Sequence, residues 1–398
     1  MGCDRLGSDR KLACHSRARG AQGRLARAAR AALGAALLLA APAAQLAAET
    51  LRIATYNASL TRAGPGVLLK DLGRDDPQID AVAAVIAYVR PDILLLTSMD
   101  YDAGGEALAV LADRLALAGV SYPHLFSDAV NAGWPSGLDL DGDGRVFGPG
   151  DGWGFGHFPG RAGMALLSVH PVADLHDFRL LPWQDLPNAR LPRLADGSPF
   201  PSAEAQAAMR LSTTAHWDIA LATPGGQLRL LASHVSPPVF DGPERANLLR
   251  NADEIRFWHL YLDGTAFPDA AGTARSLEPG PLVVLGDLNA DPADGDGDRS
   301  VVAALLAHPR LQDPRPRSIG GASAADPSHR GDPSTDTAAW SRPGALRVDY
   351  VLPSADLRVT ASGVFWPEPG APLADIAARA SAHRLVWVDI EWPPVPLP

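Results

Sequence analysis

Cysteine is nearly missing: the 398-residue chain has two, Cys3 and Cys14. That excludes a disulfide framework and a cysteine-rich zinc site. Positive charge is also short, with 35 Lys and Arg against 45 Asp and Glu and a formal net charge of −10. Such a chain has no broad electrostatic footprint for nucleic acid, whose affinity rests on Lys and Arg neutralising phosphates, so strong duplex DNA binding is not expected. Beyond the first fifty residues no run approaches the roughly 20 apolar residues that cross a bilayer, so no transmembrane anchor is expected. No repeat period is present. What remains is ordinary globular material: 46% hydrophobic residues exclude wholesale disorder, and 38 glycines with 36 prolines imply many loops without low complexity.

The first 48 residues differ from the rest. Arg17, Arg19, Arg24, Arg27 and Arg30 precede an apolar run from Ala31 to Ala41, and small residues follow. This is the basic, apolar and small-residue order of a secretory signal. Residues 1–48 are therefore expected to be removed, with the new N-terminus between Ala44 and Glu49. The mature protein is expected to be periplasmic or secreted. Both cysteines leave with the signal, as do eight basic residues against Asp4 and Asp9, which takes the net charge to −16.

Residues 49–398 read as one domain in which strand-like and helix-like segments alternate. Leu51–Tyr56, Asp92–Leu96, Gly163–Ser168, Leu228–Ser233, Leu282–Leu285, Arg347–Leu352 and Leu385–Ile390 are apolar runs of strand length. Asp80–Val89, Gly105–Ala118 and Arg245–Tyr261 have helical spacing, and the first stops ahead of Pro91 as a helix should. Continuous apolar strands imply sheets covered on both faces. Two packed sheets flanked by helices are predicted. Residues 133–160 and 313–343 are long Gly- and Pro-rich loops, of a length usually tied to function.

The chemistry sits where the strands end. Asn57 closes the first strand, Asp100 follows the DILLL strand as TSMD, and His234 closes LLASH. Asp287 and Asn289 stand in GDLNADP, Asp349 in RVDYVLPS, and His383 in HRLVWVDI. Singly, Asn and Asp at strand ends are turn formers; polar residues at six strand ends in this order are hard to attribute to turns.

In these motifs the chain resembles the endonuclease/exonuclease/phosphatase family of metal-dependent phosphodiesterases, in a secreted bacterial branch. The resemblance spans about Leu51 to Glu391. It implies a deoxyribonuclease-I-like, four-layer α/β sandwich of two packed mixed sheets flanked by helices. It also implies hydrolysis of a phosphoric ester. By resemblance Asp287 positions and activates water, Asn289 and His234 hold the phosphate, and His383, oriented by Asp349, binds or protonates a phosphoryl oxygen.

A divalent ion, Mg or Mn, is implied as well, with Asn57 among its ligands. Here the chain departs from the family pattern. The glutamate that ends the DILLL-type strand is Ser98, and the aspartate of the terminal Ser-Asp-His is Ala382. Magnesium is normally held by one or two carboxylates plus waters and phosphate, so its site is expected to be weak. Asp100, two residues past Ser98, is a substitute candidate. Asp139, Asp141 and Asp143 begin like a calcium loop, D-x-D-x-D-G, with Gly150 at the twelfth position and Asp151 next. Two functions follow: a phosphoesterase with a weakened or altered metal site, or an inactive relative that keeps the cleft for binding a ligand or calcium.

Overall fold

The computed structural model describes residues 49–393. The signal segment expected at residues 1–48 lies outside the described residues. Among those described, no helix is long and apolar enough to cross a membrane.

Eleven strands form two sheets. They are β1 (Glu49–Leu60), β2 (Ile93–Met99), β3 (His124–Phe126), β4 (Gly163–Ser168), β5 (Val172–Asp177), β6 (His216–Thr223), β7 (Gly226–His234), β8 (Leu282–Asp287), β9 (Asp349–Pro353), β10 (Val359–Val364) and β11 (Val386–Trp392). The six-stranded sheet runs β10-β11-β1-β2-β4-β3 and the five-stranded sheet β9-β8-β7-β6-β5. Each is mixed: β1 and β2 are parallel, as are β7 and β8, and the other pairs are antiparallel.

The alternation of side chains along a strand explains the layers. On β1, Leu51 and Ile53 face the second sheet, where Trp217, Ile219, Leu230, Val283 and Leu285 meet them in the central core. Ala54 and Tyr56 face the other way, against helices α1 (Pro77–Val89) and α2 (Glu106–Leu117). The second sheet is covered on its outer face by α3 (Ala246–Leu262) and α4 (Arg299–Leu306), through Ile255, Phe257, Trp258, Val302 and Leu305. The order is therefore helix, sheet, sheet, helix, the four-layer sandwich that the apolar strands imply. Local signals agree: Asp76 caps α1 by accepting from the Gln78 and Ile79 amides, Pro77 follows it, and the helix ends at Arg90 before Pro91.

Two features bring polar groups to one end of the sandwich. Register shifts on both β1 and β2, between Asn57 and Leu60 and between Thr97 and Met99, place Ser59 and Ser98 at φ 51° and 54°. Such bulges turn side chains out of the ladder. Gly286, at φ 141°, lets β8 approach β7; a Cβ there would lie 1.9 Å from the Ser233 carbonyl oxygen.

Candidate active site

Strand register alone assembles most of the site. Asp287 is the cross-strand partner of His234 on β7 and of Asp349 on β9. Partners in register share a face, and Asp287 has the parity of Val283 and Leu285, which point inward. Asn57 has the parity of Ile53. The four side chains therefore cap the core between the sheets, and His383, just ahead of β11, joins them. Asn57 Nδ2 donates to Asp287 Oδ2 at 2.9 Å and lies 3.3 Å from His383 Nε2. His383 Nδ1 donates to Asp349 Oδ2 at 2.9 Å. His234 Nε2 lies 3.6 Å from Asp287 Oδ2.

Asn289 takes the left-handed conformation at φ 50°, which Asn tolerates. Its backbone N–H donates to Asp287 Oδ1 at 2.9 Å, and its Nδ2 donates to the Val235 carbonyl at 2.8 Å, tying the loops after β7 and β8 together.

Burial sets the electrostatics. For His383 it opposes the charged ring, but Asp349 and Asp287 outweigh it and hold the pKa up at about 8. For His234 burial wins over Asp287, and the pKa falls. Asp287 is fully buried, and that burial together with Asp349 raises its pKa although both imidazoles and Asn57 oppose the rise. The cleft thus pairs a cationic imidazole with a neutral one at neutral pH, beside a carboxylate made more basic than usual.

Several supports carry no sequence motif. Thr337 Oγ1 donates to Asp349 Oδ2 at 2.9 Å and accepts from the Val348 and Asp349 amides. Ser381 Oγ donates to the Asn57 carbonyl at 2.7 Å and accepts from the His383 amide. The Trp340 ring stands edge-on to His383 at 5.2 Å.

Asp100 is elsewhere. Its two carboxylate oxygens accept from the Arg62 amide at 2.7 Å and the Ala162 amide at 3.0 Å, so it fastens the chain after β1 to the start of β4. Its carboxylate is engaged by these backbone amides, and it does not stand in the group formed by Asp287, Asp349 and His383.

The donors that converge on one point in the cleft are Asp287, Asp349 and His383, whose ligand atoms lie within 4.8 Å of one another. Asp349 Oδ1 is buried with no hydrogen-bond partner. The two carboxylates suit a divalent ion, whereas the His383 ring, protonated and donating to Asp349, has no lone pair to offer it. At positions 98 and 382 the chain carries a serine and an alanine.

The acidic loop is also rearranged relative to its motif. Asp139 and Asp141 come together with Asp151, within the same 4.8 Å limit. Asp143 instead accepts from the Arg145 amide at 2.8 Å, in its own turn. The third carboxylate is thus the residue after Gly150, not the third of the D-x-D-x-D run. His308, without partners by spacing in the sequence, lies 3.2 Å from Asp263 and beside His259.

Residues 54–383 match the model of the Endonuclease/Exonuclease/phosphatase family. Among solved structures, an endonuclease/exonuclease/phosphatase from Beutenbergia cavernae is 22% identical, with 86% of this chain and 71% of that one covered at a TM-score of 0.50. A protein of the same family from Leptotrichia buccalis is 15% identical, covering 86% and 100% at 0.47. Sphingomyelinase C from Streptomyces griseocarneus is 16% identical, covering 86% and 97% at 0.44. No curated protein matches the chain.

Proposed function

The chain belongs to the endonuclease/exonuclease/phosphatase family, and from that premise we propose that it is an exported hydrolase of phosphoric esters with an altered metal site. The observation that carries the reading is the joint placement of Asn57, His234, Asp287, Asp349 and His383 at one end of the sandwich, with His383 held cationic against two carboxylates.

In the proposed reaction a water oxygen attacks phosphorus in line with the leaving oxygen. Asp287, whose raised pKa suits a proton acceptor, orients the water and takes its proton as the P–O bond to the leaving group breaks. His383 and His234 hold the phosphoryl oxygens, His383 as a charged donor fixed by Asp349 and Thr337. Asn289 keeps Asp287 in place through its amide. A divalent ion, Mg or Mn, would be held by Asn57 and Asp287 with Asp349 in reach. Bound there, it would neutralise charge developing on the phosphoryl group. Replacement of its carboxylates by Ser98 and Ala382 makes that binding weak.

The acidic loop is assigned to calcium, at the millimolar concentrations met outside the cytoplasm. Calcium that binds only the folded chain raises its melting temperature. Asp141→Ala is expected to abolish that rise and leave hydrolysis unchanged, as read by thermal melts with and without calcium. Equal melting temperatures in wild type at zero and millimolar calcium would leave the loop as an acidic turn.

A further inference from the structure

Helix α3 carries a polar stripe bonded to the loops that hold His234 and Asp287. Asn251, Glu254 and Trp258 lie three and four residues apart, on one helix face, and all three are fully buried. Trp258 Nε1 donates to Ser233 Oγ at 2.9 Å, just ahead of His234. Two residues past His234, Glu254 Oε2 accepts from the Ser236 amide at 2.8 Å and from the Ser236 hydroxyl. Asn251 Nδ2 donates to the Ser236 carbonyl at 2.7 Å and to the Leu288 carbonyl at 3.0 Å, between Asp287 and Asn289. Through Oε1, Glu254 also accepts from the Thr213 amide at 2.8 Å and its hydroxyl at 3.0 Å. Both sides of His234 and the residue after Asp287 are thus pinned to one helix.

Glu254 is an expensive group for plain packing. Among the described residues it forms no ion pair, and burial pushes its pKa up although the Ser236 and Thr213 bonds and the Arg250 charge oppose the rise. Taking a carboxylate out of water without a counter-ion is costly. What it supplies is geometry: four donors converge on two oxygens, which fixes the Ser236 segment more narrowly than an apolar contact does.

His234 depends on such a fixture. His383 is oriented by Asp349, but His234 Nδ1 is buried with no hydrogen-bond partner and Nε2 stands 3.6 Å from Asp287. Among the described residues no side chain holds that ring by a hydrogen bond; the Ala162 carbonyl acts on it from the backbone. Its direction is therefore set by the chain at 233–236. We propose that Glu254 is a positioning residue for His234, aiming the imidazole at the phosphoryl oxygen by clamping Ser236 to α3. This rests on the phosphoryl-holding role given to His234 above.

The test is a double-variant cycle on the full chain: Glu254→Gln in the wild-type and His234→Ala backgrounds, with melting temperatures recorded for all four proteins. Gln keeps the length and one acceptor oxygen but turns an N–H group on donors. In the wild-type background, kcat for a phosphodiester with manganese is expected to fall about 10- to 100-fold, since a misplacement of about 1 Å costs about 10²-fold. In the His234→Ala background the same change should cost less than about twofold, because the group it positions is gone. Affinity for inorganic phosphate in magnesium buffer, read by calorimetry, should follow the same pattern. A merely structural Glu254 would give equal fold-losses in both backgrounds, and that result overturns the proposal. So does a Glu254→Gln protein with unchanged kcat and phosphate affinity. A wild type that binds phosphate in the expected pattern without hydrolysis would overturn the hydrolase reading and leave the positioning role standing. One that neither binds nor hydrolyses would overturn both. If Glu254→Gln does not fold, Ser236→Ala, which removes one of the four donors, carries the same cycle.

Discussion

Changing Ser98 to glutamate together with Ala382 to aspartate is expected to raise magnesium and manganese affinity by about 10- to 100-fold, the usual weight of an interaction that organises a metal site. Phosphodiester hydrolysis should rise with it, because the ion stabilises charge that develops on the phosphoryl group. Ser98 already carries a Cβ at φ 54°, so the longer side chain introduces no new backbone strain there. Each single change should give less, since one added carboxylate leaves the coordination incomplete. Adding His383→Ala to the double variant should remove the gained turnover while calorimetry still records the gained metal affinity. A double variant slower than a brisk wild type would mean that Ser98 and Ala382 belong to a different working arrangement.

The second large effect is on pH. On the proposed mechanism, hydrolysis needs His383 protonated and Asp287 ionised. Because the His383 pKa is held at about 8, the rate should fall as pH rises through about 8. Asp349→Asn removes the nearest charge that favours the imidazolium and leaves burial, which opposes it. The alkaline limb should then move down by about 1–3 units, the range typical of losing one close opposite charge. The same sign applies to stability: a raised imidazole pKa stabilises the fold at acidic pH and loses that contribution as pH rises through about 8. A rate profile whose alkaline limb is unmoved by Asp349→Asn would separate His383 from the reaction.

Particular residues show what the sequence makes legible. Gly163–Ser168 is a strand with the same limits in sequence and structure, because all six residues are buried and the run is apolar up to Ser168. The residues Asn57, His234, Asp287 and Asp349 are readable for a related reason, since each is a polar residue at an inward-facing position of an otherwise apolar run. By contrast β6 (His216–Thr223) escapes apolar patterning because His216 and Asp218 are buried within it. Their partners are Ser212, four residues before His216, and Arg229, Glu254 and Tyr261 from other elements. The edge strands β5 and β10 expose much of their length and so carry little apolar signal. Thr337 has no local signature either, as its role depends on a loop folding back onto β9. Asp151 replaces Asp143 for the same reason: the loop closes across eleven residues, from Asp151 Oδ1 to the Leu140 amide, which spacing alone does not show.

Phosphodiester hydrolysis by the purified full chain with manganese, measured beside His383→Ala, tests the central claim most directly. The account predicts slow but measurable turnover in wild type and a loss of about 10²- to 10⁴-fold in the variant, the usual contribution of a positioned acid–base group. Equal rates in the two proteins, or a wild-type rate no higher than that of buffer with manganese alone, would contradict it.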